Sequence, residues 1–549
     1  MTDRPDPRWA RDLGGPIIVA SHRGPVSFAV DDGARVVERG AGGLVTALSS
    51  LGDHLSDGVW VCAAITDEDK VIAAECGDDP LVTDASPGWR LQMLDFDEAT
   101  HAQFYGIIAN PLLWFVQYGL WSLSDAPDIG ANEHRAWDDG YAVVNARFAD
   151  AICGRLDVLP EARVMVHDYH LYLVPAMVRK QRPDIVQSFF CHIPWPNPEA
   201  WAVLPLSWRQ EIFRGLLGAD IVGFQTERAA RNFVAGCEQL LSAHVDHHEL
   251  TIEHDGRRIE ARWYPISVDV GQLESLATSP AVREHEVAMI TARREKLILR
   301  VDRTDLSKNI LRGFRAYDLV LERRPELRER VTFLALLQPS RQDVQEYVDY
   351  LEAIRRTVAD LNLRHGTPDW QPVDLRFVDD LDLAVAAYKQ YDVLMVNAIA
   401  DGMNLVAKEA VVVNTRDGVL LLSEGAGAEV ELGHFAVSVH PFDVEQQASA
   451  LWDALNMDAM ERHIRLEACR EVVRRNDLPR WLHSQLDDAR DVATRGTEPD
   501  RRNGGPGPVV ILDGHGRADA RPSIVIPTAP DAPTGATSDL TDTAGAQAG

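Results

Sequence analysis

The sequence predicts an α/β protein built from two doubly wound parallel sheets that face one another across a cleft. Three observations point there. Short apolar runs alternate with helical stretches, which is the mark of βαβ units covered on both faces. The pattern begins near residue 16, pauses near 268 and restarts at 296. The 549 residues are 46% hydrophobic and 25% charged, the composition of a folded chain long enough for two to four domains with sizeable cores.

Residues 1–15 are polar with Pro and Gly and read as a disordered lead-in. Pro16–Ala20 is a buried strand running into the loop SHRGP, and a glycine cluster at Gly40, Gly42 and Gly43 opens the helical stretch LVTALSSL. Val59–Ile65 is a second buried strand. Arg163–Lys180 reads as strand, polar turn and amphipathic helix; Ile185–Pro196 and the text DIVGFQTERAARNFV repeat the strand-first pattern. The first half, residues 16–268, closes at ARWYPISVD. A long Glu- and Arg-rich helix is expected next, and then strands at Lys296–Arg303, Arg330–Leu337, Asp374–Asp380, Tyr391–Asn397 and Gly418–Glu424. This second half spans 269–495, and its last helix is expected to pack back on the first. From 496 to 549 the chain reads as a disordered tail, since 501–549 holds no aromatic residue and buries too little apolar surface to offset its ordering entropy. In open α/β sheets ligands lie beyond the carboxyl ends of the strands, so the cleft between the halves is the expected site.

Charge narrows the partners. With 55 Lys+Arg against 84 Asp+Glu the formal net charge is −29, which disfavours non-specific contact with nucleic acid or anionic membrane. A phosphorylated ligand would need a local pocket of cations. No apolar run is long enough for a membrane span, and MTDRPDPRWARDL is charged where a signal peptide is apolar. The six cysteines form no C-x-x-C pair, which argues against a disulfide framework or a zinc site and suits the cytoplasm. Lysines are scarce beside arginines, as a GC-rich genome would produce.

The richest motif is Asp401-Gly-Met-Asn-Leu-Val-Ala-Lys-Glu409, directly after an apolar strand. A glycine-containing loop entering a helix offers free N–H groups to a diphosphate or a sugar, and Glu409 suits ribose hydroxyls. The same text also fits an ordinary surface helix capped by Asp401. Arg303 and Lys308, five residues apart at a strand's carboxyl end, can grip a diphosphate; a solvated loop with an internal Arg303–Asp305 pair is the alternative. Ser21-His22-Arg23 and the Gly40/Gly42/Gly43 cluster form a second anion cradle. His167-Asp168-Tyr169-His170 and His192 each follow a strand, and hydrogen bonding to sugar hydroxyls fits them better than metal binding, for want of a third ligand. Tyr105 and Trp114, in FYGIIANPLLWF, read on their own as core packing before they read as site residues.

Together these motifs resemble the trehalose-6-phosphate synthase family, retaining nucleotide-sugar glycosyltransferases of the GT-B type with two Rossmann-like domains. The resemblance runs from about Pro16 to Leu486. It rests on G-A-G-G-L, V-H-D-Y-H-L, H-I-P-W-P, R-x-x-x-x-K, P-S-R and D-G-M-N-L-V-A-K-E in that setting, and the phrasing S-x-R-G-P-V-S and V-D-R-T-x-L-S-K-N is similar to the actinobacterial branch. It implies transfer of glucose from UDP- or GDP-glucose to glucose 6-phosphate, with retention, to give trehalose 6-phosphate. By the same resemblance Arg303, Lys308, His192 and Asp401 carry catalysis, the last two holding the transferred glucose. Gly43, Asn404, Leu405, Val406 and Glu409 bind the donor with Arg303 and Lys308. Arg23, Tyr105, Trp114 and Arg341 form the acceptor's phosphate pocket, Asp168 reaches an acceptor hydroxyl, and the base lies near Phe377–Asp380. No cofactor and no metal are implied, because cationic side chains take the metal's place. A homo-oligomer is compatible with the sequence.

The chain departs from the family's wording in places. Many members carry W-x-G-W-S-G where this chain has Val59-Trp60-Val61-Cys62-Ala63-Ala64 and lacks the second Trp, and S-N-R is here Ser21-His22-Arg23. R-T-D-x-x-K-N also occurs in a related pseudo-glycosyltransferase that joins cyclitols through nitrogen, but that relative lacks an intact D-G-M-N-L-V-A-K-E.

Overall fold

The computed structural model describes residues 15–39, 48, 57–342 and 344–497. The expected helix LVTALSSL (apart from Leu48), the cluster Gly40/Gly42/Gly43, most of the lead-in and residues 498–549 lie outside the described residues.

The strands of the first half are β1 (Ile17–Ala20), β2 (Val26–Asp31), β3 (Ala34–Arg39), β4 (Gly58–Ala63), β5 (Leu81–Val82), β6 (Trp89–Leu94), β7 (Arg163–His167), β8 (Gln187–Phe190), β9 (Ile221–Phe224), β10 (His244–Asp246), β11 (Thr251–His254) and β12 (Arg257–Trp263). Ten of them form one sheet in the order β10-β11-β12-β9-β8-β7-β1-β4-β6-β5, while β2 and β3 pair as a separate hairpin. From β12 to β6 every pairing is parallel; only the edges are antiparallel. The second half contributes β13 (Lys296–Arg303), β14 (Val331–Gln338), β15 (Val373–Phe377), β16 (Val393–Val396), β17 (Val419–Ser423) and β18 (Val437–Val439). Its sheet is wholly parallel, in the order β15-β14-β13-β16-β17-β18.

Both sheets share one logic. In each, the first strand lies in the middle and the chain winds outward first to one side and then to the other. The strand order therefore reverses between β1 and β7 in one sheet and between β13 and β16 in the other. At such a switch point the two flanking loops leave in opposite directions and open a crevice at the carboxyl ends. Arg303 ends β13, and the loops that leave the other three strands carry Arg23, Asp168 and Asp401.

The apolar runs become strands because both faces are covered. Leu297, Ile298 and Leu299 in β13 and Ile17, Ile18 and Val19 in β1 are essentially inaccessible, each contributing about 1.5–3 kcal/mol on transfer from water. The segment expected as one long helix after residue 269 is two, Val270–Leu276 and Pro280–Ala292. Pro280 explains the break: it has no N–H to continue the first helix but fits the first turn of the second, where the Ser279 hydroxyl accepts from Val282 N–H. The final helix, Leu478–Thr497, crosses to the first sheet. Leu478 N–H donates to Val268 C=O (3.1 Å), the Trp481 indole donates to Tyr264 C=O (3.1 Å), and the Trp481 ring stands edge-on to Phe190 at 5.5 Å.

Candidate active site

Tyr105 and Trp114 sit on an unusual element. Residues Ala102–Trp114 form a π-helix with Pro111 inside it. An i→i+5 ladder takes a little over four residues per turn, so nine residues make about two turns and place both rings on one face. An α-helix, at 3.6 residues per turn, would set them on opposite faces. Burial alone would raise the Tyr105 phenol, but the charges of Arg341 and Arg23 outweigh it and pull the phenol below its ordinary range. The Arg341 guanidinium lies 3.8 Å from the centre of the Trp114 ring, and that of Arg303 lies 5.9 Å from it. Both cations come from the second half and the indole from the first.

Arg341 is fixed from several sides. Its guanidinium donates to Tyr347 Oη (2.5 Å), Asp305 Oδ2 (3.3 Å) and Tyr169 Oη (3.2 Å), and Tyr169 in turn donates to Asn110 Oδ1 (2.8 Å). Its side chain is 7% exposed, so a guanidinium is held in place there in a setting where a lysine would lose the planar stack. Arg303 keeps a looser grip on the same carboxylate, 3.9 Å from Asp305, and is 43% exposed. The Arg303–Asp305 pair is thus present, but Asp305 serves Arg341 as well and leaves the Arg303 guanidinium free to face a ligand.

The D-G-M-N loop departs from the capped-helix alternative. The helix Leu405–Val413 is capped by Asn404, whose side chain accepts from Ala407 N–H (3.0 Å), and not by Asp401. Asp401 instead forms an ion pair with Lys308 and accepts from Asn404 Nδ2 (3.1 Å). The cause is the loop: Asp401 is pinned by backbone bonds to Gly425 and Gly427, four residues before the helix begins at Leu405. Burial would lower the Lys308 ammonium, yet Asp401 and Asp302 hold it above its usual range, so it stays charged. The amides of Leu405 and Val406 belong to the helix's first turn and have no intrahelical acceptor. Glu409, only one turn into the helix, accepts from the Tyr388 hydroxyl (3.2 Å), and burial raises its carboxyl above the usual range.

On the other side, Asp168 accepts from His192 N–H (3.2 Å), and enclosure pushes its carboxyl up to about 7. His192 Nε2 faces His167 Nδ1 at 3.2 Å. Asp168, Arg341 and Asn404 all adopt left-handed backbone conformations, with φ of 75°, 48° and 86°. Non-glycine residues hold such conformations at a cost and are concentrated at functional sites. His22, in place of the family's Asn, stacks on His170 (4.6 Å) and on Tyr105 (5.1 Å), and burial holds it well below the usual histidine range. Trp60 is buried, its indole donating to Ser21 Oγ (2.8 Å).

Arg23, Tyr105, Trp114, Arg303 and Arg341 are thus brought to one cleft, with Lys308–Asp401 and Asp168–His192 beside them. Gly43 lies outside the described residues. Sequence reading did not single out Tyr169, Tyr347, Asn110 or Asp305 as the fixtures of Arg341. Tyr169 lay inside V-H-D-Y-H-L, where a tyrosine beside a site aspartate was the available signal; Tyr347 carried none.

Two Rossmann-like sheets with their switch points facing over cations are the architecture of a nucleotide-sugar glycosyltransferase of the GT-B class. The sequence model of "Glycosyltransferase family 20" matches residues 16–491, and the chain belongs to this family, that of the trehalose-6-phosphate synthases. The trehalose-6-phosphate synthase of Mycolicibacterium smegmatis is 33% identical over 483 residues, covering 86% of this chain and 91% of the relative. The Escherichia coli protein solved "bound with UDP-2-fluoro glucose" superposes with a TM-score of 0.74 at 26% identity, over 86% and 98% of the two chains. The UDP-forming alpha,alpha-trehalose-phosphate synthase of Burkholderia xenovorans, solved in complex with glucose-6-phosphate, gives 0.73 at 27% identity, over 87% and 100%. Among the described residues no helix is long and apolar enough to cross a membrane.

Proposed function

We propose that this chain transfers the α-glucosyl group of a nucleoside diphosphate glucose to glucose 6-phosphate, with retention, making trehalose 6-phosphate in the cytoplasm. The observation that carries the reading is the convergence of Arg303 and Arg341 on Trp114, with Lys308 close by, in a chain of net charge −29. So many cations in one cleft of an anionic molecule suit two phosphorylated substrates. UDP is the donor nucleotide we infer, because the E. coli and Burkholderia relatives carry it in their descriptions.

In this reading Arg303 and Lys308 stabilise the departing diphosphate, with the Leu405 and Val406 amides adding two N–H donors. Asp401 and His192 hold the glucosyl group, and Glu409 accepts from the ribose. Arg23, Tyr105, Trp114 and Arg341 seat the acceptor's 6-phosphate, and Asp168 orients an acceptor hydroxyl. Diphosphate leaves from the face at which the acceptor oxygen arrives, and a phosphate oxygen takes the acceptor's proton. Closure over both substrates excludes water and so suppresses hydrolysis of the donor.

His22, and the absence of the family's second Trp in β4, favour a second reading in which the acceptor is another phosphorylated molecule. One assay separates the two. The chain is incubated with UDP-glucose or GDP-glucose and a panel of phosphorylated acceptors, and nucleoside diphosphate release is followed. Release with glucose 6-phosphate supports the first reading; release with glycerol phosphate but not glucose 6-phosphate overturns it.

A further inference from the structure

At the amino ends of β13 and β16, away from the cleft, lies a cavity of about 370 Å³ whose wall includes Lys296, Asp392, Arg416 and Arg462. Strand β13 starts in this wall with Lys296 and ends at the cleft with Arg303, a separation of roughly 23 Å for an eight-residue strand.

Its charges do not balance. Arg293, Lys296 and Arg462 all converge on the single carboxylate of Asp392, which is 4% exposed; Lys296 lies 3.9 Å and Arg462 3.6 Å from it. Asp392 also accepts the backbone N–H of Leu297 (2.8 Å). Of the other two carboxylates at the rim, Glu295 is paired with both arms of Arg330 (2.7 and 2.9 Å), while Asp417, hydrogen-bonded to His463 (3.0 Å), keeps its negative charge, so the cations still outnumber the carboxylates left to them. The exposed Arg416 guanidinium pairs with no carboxylate among the described residues. The Arg293 side chain is 8% exposed, and its Nε is buried with no acceptor among the described residues. Burial pulls Lys296 and Arg293 below their usual ranges; Asp392 offsets this only in part, and the neighbouring arginines lower both further. A partly buried excess of positive charge in a molecule of net charge −29 calls for an anion.

We propose that this cavity is a second ligand site, outside the cleft, that binds a small phosphate-bearing anion through Lys296, Arg416 and Arg462. Guanidinium groups supply paired donors in the geometry that phosphate oxygens accept, and the lysine adds a point charge. The cavity is larger than a bare phosphate requires, so free phosphate and a phosphate monoester share the necessary chemistry. The site stands independently of the reaction proposed for the cleft.

Calorimetric titration of the full-length chain with inorganic phosphate, and separately with glycerol 3-phosphate, at constant ionic strength set with chloride, tests this. A binding phase is expected that persists in Arg341→Gln, which disables the cleft. That phase should weaken roughly tenfold in Arg416→Gln and further in the double variant Lys296→Gln/Arg416→Gln. Arg416 is exposed and pairs with no carboxylate among the described residues, so the single variant should fold like the parent, as its thermal midpoint without ligand will show. Tighter binding of the monoester identifies an ester as the ligand class; binding of phosphate alone identifies the free ion. The proposal is overturned if every phosphate-binding phase survives Arg416→Gln and the double variant unchanged, if the only phase vanishes in Arg341→Gln, or if neither anion binds more tightly than chloride.

Discussion

A β-carbon placed on Gly402 would lie 1.9 Å from the carbonyl oxygen of His192, 2.9 Å from its carbonyl carbon and 3.1 Å from the Cα of Ile193. The loop after β16 and the loop after β8 therefore touch backbone to backbone across the cleft. Only a residue without a side chain allows the approach that sets Asp401 and Lys308 opposite His192 and Asp168. Gly427 repeats the device on the other side of the same loop, where a β-carbon would meet Gly402 O at 1.9 Å.

Gly402→Ala should accordingly force the two loops apart. The overlap is with backbone, so no rotamer relieves it, and a stability loss of about 1–3 kcal/mol is expected. A misplacement on the order of 1 Å should lower turnover about 10²-fold. Thermal denaturation and nucleoside diphosphate release read the two effects; a variant with the parent's midpoint and turnover would contradict the packing described.

Arg303→Ala removes a cation expected to face the leaving phosphate while leaving Arg341 and its partners in place. Turnover should fall by about 10²–10³. Near-normal kcat at saturating donor and acceptor would remove Arg303 from that role.

Glu409→Gln tests the donor end. If Glu409 accepts from ribose hydroxyls, KM for the nucleotide sugar should rise about 10- to 100-fold, the value of a hydrogen bond to a charged group, with kcat less affected. Steady-state kinetics at fixed acceptor measures this, and an unchanged donor KM speaks against ribose binding by this residue.

The Asp168 carboxyl, raised to about 7, gives two pH signatures. As a carboxylate it can accept from the acceptor's hydroxyl, so kcat/KM for the acceptor should fall as pH drops below about 7. Asp168→Asn should lose that limb along with most activity. Stability moves the other way: a carboxyl raised by folding favours the folded state when protonated, so its contribution is full below about pH 4 and lost as pH rises through 7. At pH 8 Asp168→Asn should therefore be more stable than the parent, by on the order of 2 kcal/mol. Parallel pH–rate profiles of parent and variant, or a variant less stable at pH 8, would refute the assignment.

Arg341→Lys keeps the charge but not the plane. The stack on Trp114 and the forked bonds to Tyr347, Asp305 and Tyr169 depend on a guanidinium, so the acceptor KM should rise at least about tenfold. An acceptor KM equal to the parent's would show that charge alone suffices there.

The buried strands were easy to read because a continuous apolar run bounded by charges has few other uses. Lys296–Arg303 is β13 to the residue, and Pro16–Ala20 and Gly418–Glu424 overshoot β1 and β17 by one residue at an end or at each end. The hairpin of β2 and β3 was not anticipated: VSFAVD buries only Val26 and Phe28, ARVVER exposes Ala34, Arg35 and Glu38, and the pair lies outside the main sheet. Helical periodicity misleads at Tyr105 and Trp114, since spacing of nine implies one face only when the turn is wider than usual. Likewise, nothing local marks Tyr347 as a support for Arg341 or Asp392 as the hub of three cations, because each acquires its partners from distant segments. The motif cations were legible as chemistry; what holds them was not.

The chain passes between the halves twice, at Tyr264–Asp269 and again where the final helix begins. These passages are stitched together by Leu478 to Val268 and by Trp481 to Tyr264. Paired tethers at one edge act like the two knuckles of a door, confining the lobes to a swing about a single axis and denying them free translation. Any parting of the lobes would accordingly be smallest beside Tyr264 and Val268 and widest at the rim farthest from them.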